Sequence, residues 1–402
     1  MFCPADGERK TQKRTVGRME KQYSANTLIA LVLLTAAATL FLAFFSFRQL
    51  YGIDSDLRGE AARFQEAREL ISARYVGQIP DEGYLTDAAI AAAVYALGDP
   101  WSRFLTADEF ATHLRRMENR QQGLGIHYTR DEETNEMLII AVMPNSPAET
   151  AELAAGDTIV TLEDEPVDQM LTEDFREVLF ANYGNTVRLG VRSAGGEFRE
   201  VFVELISYYV NPVFFEMMDD DVGYIRISNF QQTSGEETIG AIDALLYQGA
   251  RGLIFDLRYN PGGRLDELLM TLDYILPDGE LFVAADSIGR ETARYAMSEH
   301  YVNIPMVVLV NERSASAAEF FAAILQEREW ATIVGTPTMG KGRSQETLSL
   351  SDGSVIVLST NRYLTPGRVD LYEVGGIRPD YDVTVEPGGE DLQLERALAL
   401  LR

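Results

Sequence analysis

Ser316 and Lys341 have the surroundings best suited to chemistry in this sequence. Ser316 follows an apolar run at 304–310 that is long enough for a buried central strand, and it precedes apolar residues at helical spacing. The serine is therefore predicted at a strand-to-helix turn. Free backbone N–H groups and the helix dipole can stabilise a developing oxyanion at such a turn.

A serine hydroxyl needs a base within hydrogen-bonding reach before it can act as a nucleophile. Lys341 lies between two glycines, and Gln345 follows at the start of a strand-like run. Lysine can serve as the base if desolvation keeps its amine neutral part of the time, and Gln345 could then accept a hydrogen bond from that amine. Two simpler interpretations remain open from these segments: Ser314 and Ser316 only cap the helix, and Lys341 is an exposed loop lysine.

A third segment, 253–263, is an apolar strand that ends in an Asn-Pro-Gly-Gly turn. Glycine accepts positive φ angles, so this turn can orient its backbone N–H groups freely. Leucines at helical spacing follow the turn and predict a helix. Taken alone, the segment indicates only a tight turn.

The segments 314–319 and 340–345 resemble the signature of the carboxyl-terminal processing peptidases, which are serine proteases with a Ser-Lys-Gln triad. The resemblance implies that Ser316 is the nucleophile, that Lys341 is the general base and that Gln345 orients the lysine. Relatives usually carry an apolar residue where this chain has Ser344, which could admit water to the lysine's pocket.

The turn at 260–263 is similar to the family's turn after its central strand. By that resemblance, the backbone N–H groups of Gly262 and Ala317 form the oxyanion hole. The family's chemistry needs no metal and no organic cofactor, and none is expected here.

Residues 122–205 resemble a PDZ domain. Its carboxylate-binding loop would capture a peptide C-terminus with backbone N–H groups and the neighbouring sheet edge. A helix predicted at 172–180 would line the groove. The loop residues are Gly123, Leu124, Gly125 and Ile126.

The N-terminus predicts a membrane anchor. Residues 1–26 are polar and basic, and residues 27–47 contain no charge, glycine or proline, which is long enough for a transmembrane helix. A cleaved signal peptide is the alternative, but this stretch is longer than a signal core and ends without a small-residue site. The basic flank places the N-terminus and Cys3 in the cytoplasm and the rest of the chain outside the membrane.

Length and composition support several domains. The 402 residues exceed one ordinary core, and the net charge of −27 argues against a nucleic-acid partner. The predicted fold is an α/β multidomain chain whose protease domain has a mixed sheet. The predicted segments are a cytoplasmic tail (1–26), a transmembrane anchor (27–47), a helical region (48–120), a PDZ domain (121–207) and the protease domain (208–402).

Other catalytic centres have weaker support. A Ser-His-Asp triad would have to use His300, because His113 and His127 fall before or inside the PDZ region. Asp256 and Asp266 could form a carboxylate pair, but a strand end and a helix first turn explain them more simply. No zinc-binding motif is present in the sequence.

The sequence therefore predicts a single-pass membrane serine endopeptidase whose catalytic part lies outside the cytoplasm and cleaves exported proteins recognised by their C-terminal tails. Its expected partners are peptides with a free C-terminus, with a homo-oligomer or a regulatory protein as further options. The alternative is an inactive or gated PDZ scaffold that binds tails without cutting them.

Overall fold

The computed structural model describes residues 34–36, 38–39, 41–42, 55–81, 83–298, 300–385 and 389–402. The chain divides into two compact units, Met1–Leu85 and Thr86–Arg402. The second unit contains the PDZ domain, the protease domain and every residue of the predicted site.

The described helices alternate with strands through most of the second unit. The helices are α1 (Ser55–Arg74), α2 (Tyr84–Tyr95), α3 (Ala107–Met117), α4 (Pro147–Thr150), α5 (Thr172–Ala181), α6 (Ser234–Tyr247), α7 (Leu265–Ile275), α8 (Ala317–Glu327), α9 (Leu371–Val374) and α10 (Leu392–Leu401). The strands before the protease domain are β1 (Arg103–Leu105), β2 (Arg120–Gln122), β3 (Ile126–Arg130), β4 (Met137–Val142), β5 (Thr158–Leu162), β6 (Glu165–Pro166), β7 (Thr186–Arg192), β8 (Phe198–Glu204) and β9 (Ser207–Tyr209). Those that follow are β10 (Val213–Met218), β11 (Val222–Ile227), β12 (Gly252–Asp256), β13 (Gly279–Ala285), β14 (Glu291–Ala296), β15 (Met306–Val310), β16 (Thr332–Gly335), β17 (Arg343–Ser349), β18 (Val355–Leu364) and β19 (Tyr381–Asp382).

The protease domain is built on a mixed six-stranded sheet, in the order β10-β11-β12-β15-β16-β19. Only the β10–β11 pair is antiparallel. Every residue of β12 and β15 is buried, as the apolar runs predicted for strands covered on both faces. The predicted mixed α/β sheet is confirmed, although the strand predicted from residue 304 begins at Met306.

Helices cover both faces of this sheet. On one face, apolar side chains of α6, α7 and α8 pack with the sheet into the largest buried cluster. On the other face, α10 packs Leu394, Leu398 and Leu401 against Ile254 and Val307. Two parallel neighbours, β12 and β15, therefore end at the same buried edge, and each continues into a turn and a helix.

A second sheet of five antiparallel strands lies in the same unit, in the order β1-β18-β13-β14, with β17 also paired to β18. Its strand β1 comes from residues 103–105, which pair with Val355–Val357 of β18. The region predicted to be helical therefore also contains a strand. The spacing of apolar residues could not show this, because a three-residue strand is too short to have a recognisable period.

The PDZ domain forms a separate core around the strands β3-β4-β5-β7-β8, with β6 paired to β5. Strand β3 is the edge of that sheet, and α5 lies at residues 172–181, as predicted for the groove helix. The short β2–β9 pair closes the domain where the chain enters and leaves it.

Among the residues that the structure describes, no helix has both the length and the apolar character needed to cross a membrane. The predicted anchor at 27–47 falls largely outside the described residues.

Replacement of Phe321 by alanine should destabilise the protease domain by about 3–5 kcal/mol, because this fully buried ring packs on Phe230 and Phe255. The free energy of unfolding, measured with a chemical denaturant, tests this. Tyr247→Ala is the matched control, since Tyr247 is 95% exposed, and it should change stability by less than about 0.5 kcal/mol. Equal losses in the two variants would contradict the packing described here.

Candidate active site

Ser316 occupies the turn between β15 and α8 in a strained backbone conformation. Its φ of 55° and ψ of −118° are unusual for a residue with a Cβ atom, and such angles cost about 1–3 kcal/mol. Its side chain makes no capping hydrogen bond. Ser314, by contrast, is structural: its hydroxyl accepts from the Asn311 N–H at 2.9 Å and donates to the Leu257 carbonyl at 2.8 Å. Of the two serines, Ser316 is the one whose hydroxyl is left for chemistry.

A fully buried carboxylate, Glu319, joins the serine turn to the lysine loop. It lies in the first turn of α8, and both of its oxygens accept hydrogen bonds from outside that helix or from the residue that precedes it. The donors are the Ser316 N–H (2.8 Å), the Gly340 N–H (2.6 Å), the Lys341 N–H (2.8 Å) and the Thr338 hydroxyl (2.6 Å). One side chain therefore fixes the backbone on both sides of the predicted catalytic pair.

Asn260 fixes the Asn-Pro-Gly-Gly turn beside the serine. Its buried side chain donates to the Ile227 carbonyl at 2.8 Å and accepts from the Gly262 N–H at 2.8 Å, and its carbonyl accepts from the Ala315 N–H at 2.9 Å. Gly262 has a φ of +89°, and a Cβ there would lie 2.6 Å from the Ala315 carbonyl oxygen. Only glycine allows the turn to approach the serine this closely.

The oxyanion-hole donors differ in part from those predicted. The Ala317 N–H donates to no group of the described residues and lines the cavity, as expected for a donor at a helix start. The Gly262 N–H already donates to Asn260, so it is not free in this conformation. The Gly263 N–H lies on the far side of the bridge between Gly263 and Phe230, and within the described part of the chain it donates to no acceptor.

The Lys341 side chain is largely removed from water. Burial lowers the pKa of its amine, and repulsion by Arg103 lowers that pKa further, whereas the carboxylates of Glu319 and Asp99 act in the opposite direction. The Nζ atom lies 4.9 Å from the centre of the Trp101 ring. No hydrogen bond joins this amine to Ser316 in the described structure.

Gln345 does not orient the lysine in this conformation, contrary to its expected role. Its amide nitrogen donates to the Arg343 carbonyl at 3.0 Å and to the Ser359 hydroxyl at 3.1 Å. Within the described residues, no hydrogen bond joins Gln345 to Lys341. The amide oxygen keeps its lone pairs available to a donor.

One cavity of about 420 Å³ brings the predicted residues together. Its lining includes Ser316, Lys341, Gln345, Gly262 and Ala317.

Four residues to which the sequence gave no role also belong to this region. Trp101, Arg103 and His113 surround the lysine or line the cavity, and Glu319 lies beneath it. An acidic residue in a helix first turn that is otherwise apolar was the available signal for Glu319. The other three come from far earlier in the chain, so no local pattern marks them.

The other centres considered from the sequence have structural explanations. Asp256 pairs with Arg258 at 2.7 Å and accepts from the Tyr224 hydroxyl, and Asp266 pairs with Arg264 at 2.6 Å. In the described ranges, no cluster of three or more His, Cys, Asp or Glu residues is arranged to hold a metal ion.

A second cavity, of about 280 Å³, lies in the PDZ domain between the loop at 123–126 and α5. Positive φ angles at Gly123 and Gly125 shape the loop, and a Cβ at Gly125 would lie 2.2 Å from the Ser146 Cβ. The backbone N–H groups of Leu124 and Gly125 donate to nothing in the described structure, so they are available to a carboxylate. Phe180 lines the groove and is 74% exposed.

Glu319→Gln should destabilise the second unit by about 3 kcal/mol or more. A glutamine amide has one acceptor oxygen, so its NH₂ group must face donors that the carboxylate now satisfies. Denaturant unfolding measures the loss. Glu329→Gln, at an exposed position just beyond the same helix, should change stability by less than about 0.5 kcal/mol. Equal stability of the two variants would show that the four hydrogen bonds do not hold the loops together.

Comparison with known proteins agrees with this geometry. Residues 221–383 match peptidase family S41, and residues 138–193 match a PDZ domain. The chain is 30% identical to the carboxy-terminal processing protease CtpA of Bacillus subtilis (strain 168) over 359 residues, covering 88% of this chain and 76% of that protein. It is 32% identical to the carboxyl-terminal-processing protease of Synechocystis over 331 residues, covering 79% of this chain and 77% of that protein.

A crystal structure of an S41 protease from Bacteroides fragilis shares the fold, with a TM-score of 0.54 and 20% identity over 77% of this chain and 85% of that chain. The chain therefore belongs to peptidase family S41 and, like the carboxyl-terminal processing proteases to which it is similar, joins a PDZ domain to a serine protease domain.

Proposed function

We propose that this peptidase cleaves peptide bonds with Ser316 as the nucleophile and Lys341 as the general base. One observation carries the proposal: the uncommitted hydroxyl of Ser316 and the desolvated amine of Lys341 open on the same cavity, and Glu319 fixes the backbone of both. A nucleophile and a base held on rigid neighbouring turns are what acyl transfer requires.

In the first half of the reaction, neutral Lys341 takes the hydroxyl proton while the Ser316 oxygen attacks the peptide carbonyl. The carbonyl oxygen becomes an oxyanion, which the N–H groups of Ala317 and the glycine turn stabilise. We assign the turn's contribution to Gly263 in the present conformation, or to Gly262 after its bond to Asn260 is released.

In the second half, the protonated amine of Lys341 gives its proton to the leaving peptide nitrogen, and an acyl-enzyme remains. Water then attacks the ester as the lysine accepts a proton, and Ser316 regains its hydroxyl on release of the acid. The atoms and charges balance without a metal or an organic cofactor.

The lysine must move before it can act, because its Nζ now lies over Trp101. We propose that substrate binding turns the amine toward Ser316, where the free amide oxygen of Gln345 accepts one of its hydrogens. This gives Gln345 its expected orienting role in the working state only. The present conformation is thus a resting one.

The PDZ groove supplies tail recognition in this proposal. A peptide would add as a strand to the edge of β3 and place its terminal carboxylate on the N–H groups at 123–126. The name of the Bacillus subtilis relative, a carboxy-terminal processing protease, supports the same substrate class. The substrates are then exported proteins with a free C-terminus.

We further propose that residues 27–47 anchor the chain as a single membrane-spanning helix with the basic N-terminus in the cytoplasm. The support comes from the sequence alone. The catalytic part would then lie outside the cytoplasm, beside newly exported substrates.

A second candidate is a tail-binding protein whose protease domain stays inactive or gated. The distance of the lysine amine from productive hydrogen bonding favours it, since the described structure shows no Ser316–Lys341 bond. A serine-directed covalent probe separates the two. Labelling of Ser316 in the absence of any partner supports the enzyme.

Ser316→Ala and Lys341→Ala should each lower kcat/KM by at least about 10³-fold, because either change removes the attacking unit. The assay follows cleavage of an unstructured protein with an apolar C-terminal tail by the detergent-solubilised full chain. Near-normal turnover by either variant would exclude the proposed mechanism. Unchanged circular dichroism and thermal unfolding would show that the loss is not one of folding.

Catalysis should increase with pH as Lys341 loses its proton, and the midpoint should lie below the ordinary lysine value of 10.5, because burial and Arg103 lower the pKa of the amine. Below the lowered pKa the amine is protonated and cannot act as a base, so kcat/KM falls as the pH falls. A profile of kcat/KM against pH, with stability measured across the same range, tests the sign. A rate that rises toward acid pH would contradict a lysine base.

Phe180→Ala should weaken tail binding about tenfold, because the ring is a large apolar surface in the groove. Binding is measured with fluorescent peptides and the Ser316→Ala protein, which cannot consume them. Phe202→Ala is the control, since Phe202 is 64% exposed on β8 and lies outside the groove lining. If amidation of the peptide C-terminus left the affinity unchanged, carboxylate capture by the loop would be wrong.

A further inference from the structure

The catalytic cavity is basic in a strongly acidic chain. The sequence contains 62 acidic and 35 basic residues, yet the residues that line this cavity include no aspartate or glutamate. Its ionisable basic side chains are Arg103, His113, Arg264, Lys341 and Arg343. Such a reversal of charge at a substrate cleft points to a substrate group of negative charge.

Two of these arginines are already neutralised by partners. Arg264 pairs with Asp266 at 2.6 Å, and Arg343 pairs with Asp370 at 3.0 Å and stacks on Tyr372. Their charges are compensated locally, so they contribute little to the field in the cavity.

Arg103 differs from both. It lies on β1, opposite Val357 of β18, and its exposed side chain makes no ion pair or hydrogen bond with any residue in the described ranges. Its nearest charged neighbours repel it: the positive charge of Arg103 lowers the pKa of both Lys341 and His113. A guanidinium held beside two other bases gains from the arrival of an anion, and a planar carboxylate matches its donors best.

An exposed arginine is most often only solvated. The placement of Arg103 argues for more, because it lines the cavity that contains Ser316 and is the arginine there without an acidic partner among the described residues. His113 borders the same space and can add an N–H donor. These groups form a site for a carboxylate next to the reacting bond.

We propose that Arg103, assisted by His113, is a specificity-determining residue that binds a substrate carboxylate beside the scissile bond, so that the peptidase prefers substrates with an acidic residue there. The inference rests on the proposed peptidase function and deepens it by naming the chemistry of the cleft. Two sources could supply the carboxylate, an acidic side chain or the C-terminus of the substrate itself.

The test compares peptides that differ only by Glu or Gln at each position around the cleavage site, each made with a free and with an amidated C-terminus. We expect wild type to cleave the best Glu peptide about 5- to 10-fold more efficiently than its Gln isostere. Arg103→Gln should bring that ratio to about 1, Arg103→Glu should bring it below 1, and Arg103→Lys should keep part of the preference. Arg251→Gln, which removes a surface arginine 84% exposed, should leave the ratio unchanged.

Because each ratio is taken within one variant, the effect of Arg103 on the lysine base cancels. A Glu preference that persists in amidated peptides assigns the carboxylate to a side chain. If Arg103→Gln changes only the ratio of free to amidated peptides, the carboxylate is the C-terminus. A wild type that cleaves through Ser316 but shows neither preference overturns the inference and leaves the peptidase proposal intact.

Binding provides a second measurement that needs no turnover. The Ser316→Ala protein should bind the Glu peptide more tightly than the Gln peptide, with a difference that disappears when Arg103→Gln is added and that decreases with salt. Equal affinities for the two peptides would overturn the inference even if no variant cleaved. Absence of Ser316-dependent cleavage from every peptide would instead count against the peptidase proposal.

Discussion

The carboxylate of Glu319 is the interaction on which the site depends. A buried carboxylate is costly unless donors replace its water shell, and here four donors do so. Three are backbone N–H groups, so the carboxylate constrains chain positions rather than mobile side chains. The serine turn and the lysine loop are held in one arrangement as a result. A substitution that disturbs this carboxylate therefore affects stability and chemistry together.

The strain at Ser316 is sustained by its neighbours. Its φ of 55° lies between the Glu319 carboxylate and the glycine turn that Asn260 holds in place. The parallel strands β12 and β15 deliver these two turns to the same sheet edge, where open α/β sheets place their sites. The buried sheet supplies the rigidity, and the turns supply the free hydroxyl and N–H groups.

The electrostatics of the cavity combine opposing influences on one amine. Burial and Arg103 favour the neutral form of Lys341, whereas the Trp101 ring and the carboxylates of Glu319 and Asp99 favour the charged form. This balance allows a lysine to rest protonated over the indole and to act as a base once it turns toward the serine. A substrate carboxylate bound at Arg103 would enter the same balance.

The sequence by itself determined the elements that depend on neighbouring residues: the buried strands, the serine at a helix start, the Asn-Pro-Gly-Gly turn and the helix α10, whose bounds match the prediction at 392–401. Apolar period and turn chemistry are local, so they can be read along the chain. Tertiary structure alone decided which groups meet the reacting pair. Trp101 and Arg103 reach Lys341 across more than two hundred residues, and Glu319 faces four donors because packing closes the loops around it. The engagement of Gly262 by Asn260 and of Gln345 by Ser359 belongs to the same class, since a residue's type does not reveal which of its possible partners the fold brings near.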